Sequence, residues 1–99
     1  MTNQYMLNED LLTAIQKHRR DIAEFLIAQG ADVNYHTSLG NTPLTFAIQA
    51  NDMEIIKLLL KSGADAWKKT YAKDIGYINA IDFARIVRRE DIAEFLEQS

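Results

Sequence analysis

Catalysis in a protein needs a nucleophile beside a base, a set of metal ligands, or a backbone cradle for phosphate. The candidates in this chain are few. His18 and His36 are its only histidines and lie outside i, i+3 or i+4 spacing from each other, and there is no cysteine to join them. His18 is expected in a turn between two helices and His36 in the next projecting turn, so both read as exposed polar residues rather than metal ligands. The adjacent carboxylates Glu9-Asp10 and Glu90-Asp91 are expected at helix starts, where they face the positive end of the helix dipole instead of pairing for acid–base work. Gly30, Gly40, Gly63 and Gly76 never approach the spacing of a phosphate-binding loop. No catalytic, metal or cofactor residue is therefore assigned, and the chain is expected not to be an enzyme.

Recognition chemistry is better represented. The segment 67–78, WKKTYAKDIGYI, holds the only tryptophan, two of the four tyrosines and three lysines. Aromatic and cationic residues on one projecting edge have the composition of an interface hot spot. Within the segment, Trp67 and Tyr77 either pack beneath the loop or serve the interface, and the expectation is a mixture with Trp67 packed and Tyr71 facing solvent. Two basic clusters, Lys17 to Arg20 and Arg85 to Arg89, read as solvated edges of helix hairpins rather than as an anion-binding patch.

The elements that must position these residues follow from an internal repeat. Residues 21–26 and 91–96 are the same hexapeptide, DIAEFL. GADVN at 30–34 recurs as GADAW at 63–67, an offset of 33 that aligns Leu11, Ala14 and Ile15 with Leu44, Ala47 and Ile48. A further offset of 37 carries Leu44, Phe46, Ala47, Ile55 and Leu59 onto Ile81, Phe83, Ala84, Ile92 and Leu96. The hexapeptide thus marks one helix in the first and third units, with four extra residues inserted in 67–78. Each unit resolves into two short helices. In the middle one, Thr42 offers a hydroxyl cap and Pro43 takes the first helical position, where its missing N–H costs nothing. Leu44, Ala47 and Ile48 form one apolar stripe. Asn51 suits a left-handed turn residue, Asp52 caps the second helix and Gly63 ends it. Helices this short are marginal alone, so neighbouring units must stack to bury their stripes.

The stretch NTPLTFAIQANDMEIIKLLLKSGAD resembles an ankyrin repeat. The family pattern is met by Gly40, Thr42, Pro43, Leu44, Ala47, Ile55, Leu58, Leu59, Gly63, Ala64 and Asp65. The resemblance implies an all-α ankyrin-repeat solenoid: three stacked helix-turn-helix units with projecting, hairpin-like turns and a concave face. The units run over about 4–36, 37–69 and 70–99 of a single domain, 1–99. Thr45 replaces the family histidine, which puts the inter-repeat Thr-His network in doubt. Glu9-Asp10-Leu11-Leu12 and Asn79-Ala80-Ile81-Asp82 replace the TPLH pattern in the outer units, as suits capping repeats with polar outer faces.

Ankyrin-like proteins mostly bind other proteins through the turn tips and the exposed side of each first helix. By position, the resemblance places partner contacts at Tyr5, Met6, Asn8, Gln16 and Lys17 in the first unit. In the second they are His36, Ser38, Leu39, Asn41, Gln49 and Ala50, and in the inserted segment Lys69, Tyr71, Lys73 and Tyr77. The expected function is a non-catalytic protein–protein interaction module, with an inhibitor or immunity-type protein acting by occupancy as the alternative. Small-anion binding in the concave groove by Lys68, Lys69, Lys73 and the tyrosines is the weaker reading.

The bulk properties agree with an ordinary globular chain: 99 residues, 47% hydrophobic, 25% charged, formal charge −3. No apolar run approaches the roughly 18 residues needed to span a bilayer, and MTNQYMLNED lacks the basic and apolar regions of a secretory leader. The acidic balance argues against nucleic acid. A cytoplasmic protein, monomeric when free, with another protein as its partner and no membrane or nucleic-acid ligand, is the expectation.

Overall fold

The structure is a computed structural model that describes residues 3–99. It contains six helices in three antiparallel pairs: α1 (Gln4–Gln16) with α2 (Arg20–Ala28), α3 (Pro43–Gln49) with α4 (Met53–Lys61), and α5 (Ala80–Ile86) with α6 (Glu90–Glu97). A two-stranded antiparallel hairpin, β1 (Thr70–Ala72) and β2 (Gly76–Ile78), stands between the second and third pairs. Helix α1 packs on α3 and α3 on α5 as an inner layer, while α2 packs on α4 in an outer layer. The stack is all-α apart from the hairpin, as the repeat requires.

Local chemistry explains each boundary. The Thr42 hydroxyl accepts from the Thr45 amide at 3.2 Å, and the Thr42 amide donates to Thr45 Oγ1 at 2.8 Å. This reciprocal box starts α3 with Pro43 in the first turn. Thr45, where the family histidine is missing, therefore works within its own helix start. Asn79 and Asp82 repeat the box at the start of α5, so NAID does the same work as TPLT. Asp52 caps α4 through the Ile55 amide at 3.2 Å. The turn between paired helices is left-handed in all three units, at His18, Asn51 and Arg88.

One expected boundary is wrong. Glu9-Asp10 do not start a helix: α1 begins at Gln4, capped by Asn3 through the Tyr5 amide. The extra turn and a half puts both carboxylates inside α1. Glu90-Asp91 do lie in the first turn of α6.

The core is one contiguous cluster running through all three units, with Leu11, Ile15, Ile48, Ile55, Ile56, Leu59, Ile81, Ile92 and Leu96 fully buried. Polar ties fasten the units together along the projecting side. Asn34 donates to the Gly63 carbonyl at 3.1 Å and accepts from the Asp65 amide at 2.8 Å. One unit earlier the same two backbone groups are met by two side chains: Gln4 donates to the Gly30 carbonyl at 2.8 Å, and Asn8 accepts from the Asp32 amide at 2.8 Å.

Candidate functional site

The projecting side is built from two backbone turns held against each other. In the first, the Gly40 amide donates to the Thr37 carbonyl and the Thr37 amide to the Asn41 carbonyl, both at 2.9 Å. Thr37 Oγ1 also accepts from the amides of Leu39 and Asn41, a side chain standing in for backbone as Ser and Thr do in turns. In the second, the β1–β2 hairpin turns through Asp74 and Gly76, both at positive φ. The two turns meet where Thr70 Oγ1 donates to the Gly40 carbonyl at 3.1 Å. Gly40 sits at φ +88° with its α-carbon against the Tyr71 carbonyl, where any Cβ would collide.

This bracing presents side chains from both turns on one surface. Tyr71 and Tyr77 face each other across the strands, their rings edge to face at 5.4 Å between centroids, and both are exposed. With His36, Thr37, Ser38, Lys68, Lys69 and Thr70 they line a shallow recess of about 360 Å³. Among the described residues no carboxylate lies within ion-pair distance of Lys68, Lys69 or Lys73. The edge is cationic and aromatic on a chain of net charge −3.

Five of the residues expected to contact a partner are thus gathered here: His36, Ser38, Lys69, Tyr71 and Tyr77. Leu39 is exposed at the neighbouring tip, Lys73 is exposed in the hairpin turn and Asn41 is half-buried. Gln16 and Gln49 are exposed at the ends of α1 and α3, and Tyr5 and Met6 on the first turn of α1, away from the recess. Asn8 is a correction: it is buried, because its amide is committed to Gln4 and Asp32. Trp67 is another. It is 58% exposed, lining a groove of about 650 Å³ with Lys57, Leu60 and Phe95 instead of packing beneath the hairpin. The space under the hairpin is only about 40 Å³, room for ordered water but not for an indole.

Thr37, Lys68 and Thr70 complete the surface; the two threonines were not singled out by sequence, and Lys68 was named only for anion binding. Lys68 carried a signal in its adjacency to Lys69; the threonines act through hydrogen bonds that only the folded turns create. Tyr35, not singled out by sequence, donates its phenol to Glu9 Oε2 at 2.8 Å. That bond to a carboxylate raises its pKa to about 12. The basic clusters are largely paired: His18 Nδ1 lies 2.9 Å from Asp52, Arg19 is bonded to Asp21, and Arg85 pairs with Glu97 and Glu90. Among the described residues no three His, Cys, Asp or Glu side chains converge as metal ligands, and no helix is long and apolar enough to cross a membrane.

Stacked helix pairs with a braced row of projecting turns define a helical-repeat scaffold. The family model for ankyrin repeats (3 copies) matches residues 8–70, and the chain belongs to the ankyrin repeat family. It is 40% identical over 63 residues to the fowlpox virus (strain NVSL) ankyrin repeat protein FPV233, covering 63% of this chain and 12% of that protein. It is 31% identical over 88 residues to the mouse protein fem-1 homolog A-like, covering 89% of this chain and 13% of the relative. A third relative, human 2-5A-dependent ribonuclease, is 39% identical over 59 residues, 59% of this chain and 8% of the enzyme. The chain therefore spans a small part of the length of each.

Proposed function

We propose that this chain is a non-catalytic protein-binding module whose contact surface is the edge made by the 36–41 turn and the 70–78 hairpin. Ankyrin repeats are generally protein–protein interaction modules. The observation that carries the reading for this chain is the exposed Tyr71–Tyr77 pair, ringed by unpaired lysines on a hairpin that Gly40 and Thr70 hold rigid. Rigid aromatic side chains supply contact area at low conformational cost, and an acidic surface is the natural complement of the lysines. Leu39, Asn41, Lys73, Gln16 and Gln49 extend the surface along the turns and the inner helices, and Tyr5 and Met6 continue it on the first unit. The module acts by occupancy, covering a partner's surface from the cytoplasm; blocking a partner enzyme or toxin is one form of that action.

The test is affinity capture from the native source, comparing wild type with Tyr71→Ala/Tyr77→Ala of confirmed fold. One protein retained by wild type and lost from the variant supports the reading. Equal recovery moves the contact to the inner helices. Stabilisation of the pure protein by a small anion alone, with no protein retained, replaces it by ligand binding at the lysines.

A further inference from the structure

The two copies of Asp-Ile-Ala-Glu-Phe-Leu differ in burial. Ile92 is 1% exposed and Ile22 39%. Phe95 is half-buried beside Lys57 of α4, whereas Phe25 is 62% exposed. In the middle unit the same two positions are Ile55 and Leu58, both buried. The contact between Phe95 and Lys57 shows that these positions face the preceding unit. On α2 no described element stands there.

The other end of the stack is closed by its sequence. Ile27 and Leu60 pack against the core at matching positions of α2 and α4; the third unit places Glu97 there, paired with Arg85. Helix α1 is closed in the same way, because Asp10, Thr13 and Lys17 stand where the later units carry Pro43 and Ala80, Phe46 and Phe83, and Ala50 and Val87. A further inner helix would meet charge, yet α2 keeps the apolar pair of an interior unit.

We propose that the α2 face is a self-association surface through which two copies of this chain pair about a two-fold axis. Phe25 and Ile22 of each copy form the centre. A recess of about 330 Å³ lined by Asp10, Thr13, Lys17, Arg19, Ile22 and Leu26 receives the phenyl ring of the other copy. Three observations select a second copy as the occupant. The apolar stripe is continuous in kind with the inter-unit interface, since the identical Ile and Phe already cover a helix in the third unit. The recess carries both signs outside the internal Arg19–Asp21 pair, Asp10 against Lys17, so a two-fold axis can set acid against base in an isologous contact. Antiparallel pairing also brings the Arg19-Arg20 start of one α2 to the carbonyl end, near Ala28, of the other. A head-to-tail stack is refused by Glu97 and Arg85 at the far end.

Sedimentation equilibrium from low micromolar to near-millimolar concentration tests this, using wild type, Phe25→Glu and Tyr71→Ala/Tyr77→Ala. Wild type and the hairpin variant are expected to rise from monomer toward dimer mass with the same constant. Phe25→Glu, whose ring is exposed in the monomer, is expected to keep its helical signal and melting temperature and to dimerise at least about tenfold more weakly. A wild type that stays monomeric throughout overturns the proposal. So does undiminished pairing by Phe25→Glu, or pairing lost only in the hairpin variant. Capture of a different protein in a Phe25-dependent manner by a monomeric wild type would assign the face to that protein and equally overturn the second copy.

Discussion

Residues 21–26 and 91–96 are one hexapeptide in two environments, and the contrast separates what a helix determines from what a stack determines. Both copies form the outer helix of a pair, and in both the alanine and leucine are buried against their own inner helix. Only the isoleucine and phenylalanine differ, because they point along the stack rather than into the pair. In a solenoid each unit contacts only its neighbours, so the worth of these two side chains depends on whether a neighbour is present.

The widest separation is expected at the isoleucines. Ile92→Ala should lower unfolding stability by about 2–4 kcal/mol, as for other buried isoleucines, and Ile22→Ala by less than about 1 kcal/mol. Urea unfolding at low protein concentration reads both, and equal losses would abolish the distinction. The phenylalanines come next. Phe95→Ala should cost about 2 kcal/mol, from partial burial and the Lys57 ammonium 5.8 Å from its ring centroid. Phe25→Ala should cost about 0.5 kcal/mol or less in the monomer.

A smaller effect tests how the turn after α2 is fastened to α1. Asn8→Ala removes the acceptor of the Asp32 amide and should cost about 1 kcal/mol in the same assay. A neutral result would mean that water replaces the amide at no cost. The smallest effect is a pH dependence confined to the first unit. Tyr35 is raised from 10.0 to about 12 by its bond to Glu9. A group whose folded pKa is raised contributes stability that is complete below its unfolded value and lost as pH climbs through the folded one. Wild type should therefore lose stability relative to Tyr35→Phe between pH 10 and about 12, and the two should run parallel below that window. Phenolate absorbance in native protein provides an independent check.

The three-unit fold was legible because its signals are local. Thr42-Pro43, Asn51-Asp52 and the two Gly-Ala-Asp turns each carry a backbone conformation in their side-chain chemistry, and the 33-residue offset states how many pairs there are. The start of α1 was misjudged because Asn3 caps as well as any residue nearer Glu9, and the repeat pattern pointed to the later start. At the projecting edge, the exposure of Tyr71 followed from its place in an extended loop, whereas that of Tyr77 was decided only by the hairpin that sets the two rings across the strands. Trp67 was misplaced because a large apolar ring suggests burial, while the cavity that would have received it is too small. Asn8 was misplaced because a polar residue suggests solvent, while the Asp32 amide of the next turn and the Gln4 side chain both donate to its carbonyl oxygen.

The sequence by itself determined which segments are helices, where they turn and that they repeat, because caps, left-handed turn residues and apolar period act within a few residues. Tertiary structure alone decided which members of a repeated apolar pattern are covered. It also set two remote turns close enough for Thr70 to reach Gly40, and gathered His36, Lys69, Tyr71 and Tyr77 onto one surface. Burial along a stack is a property of the neighbour, and the hexapeptide does not encode its neighbour.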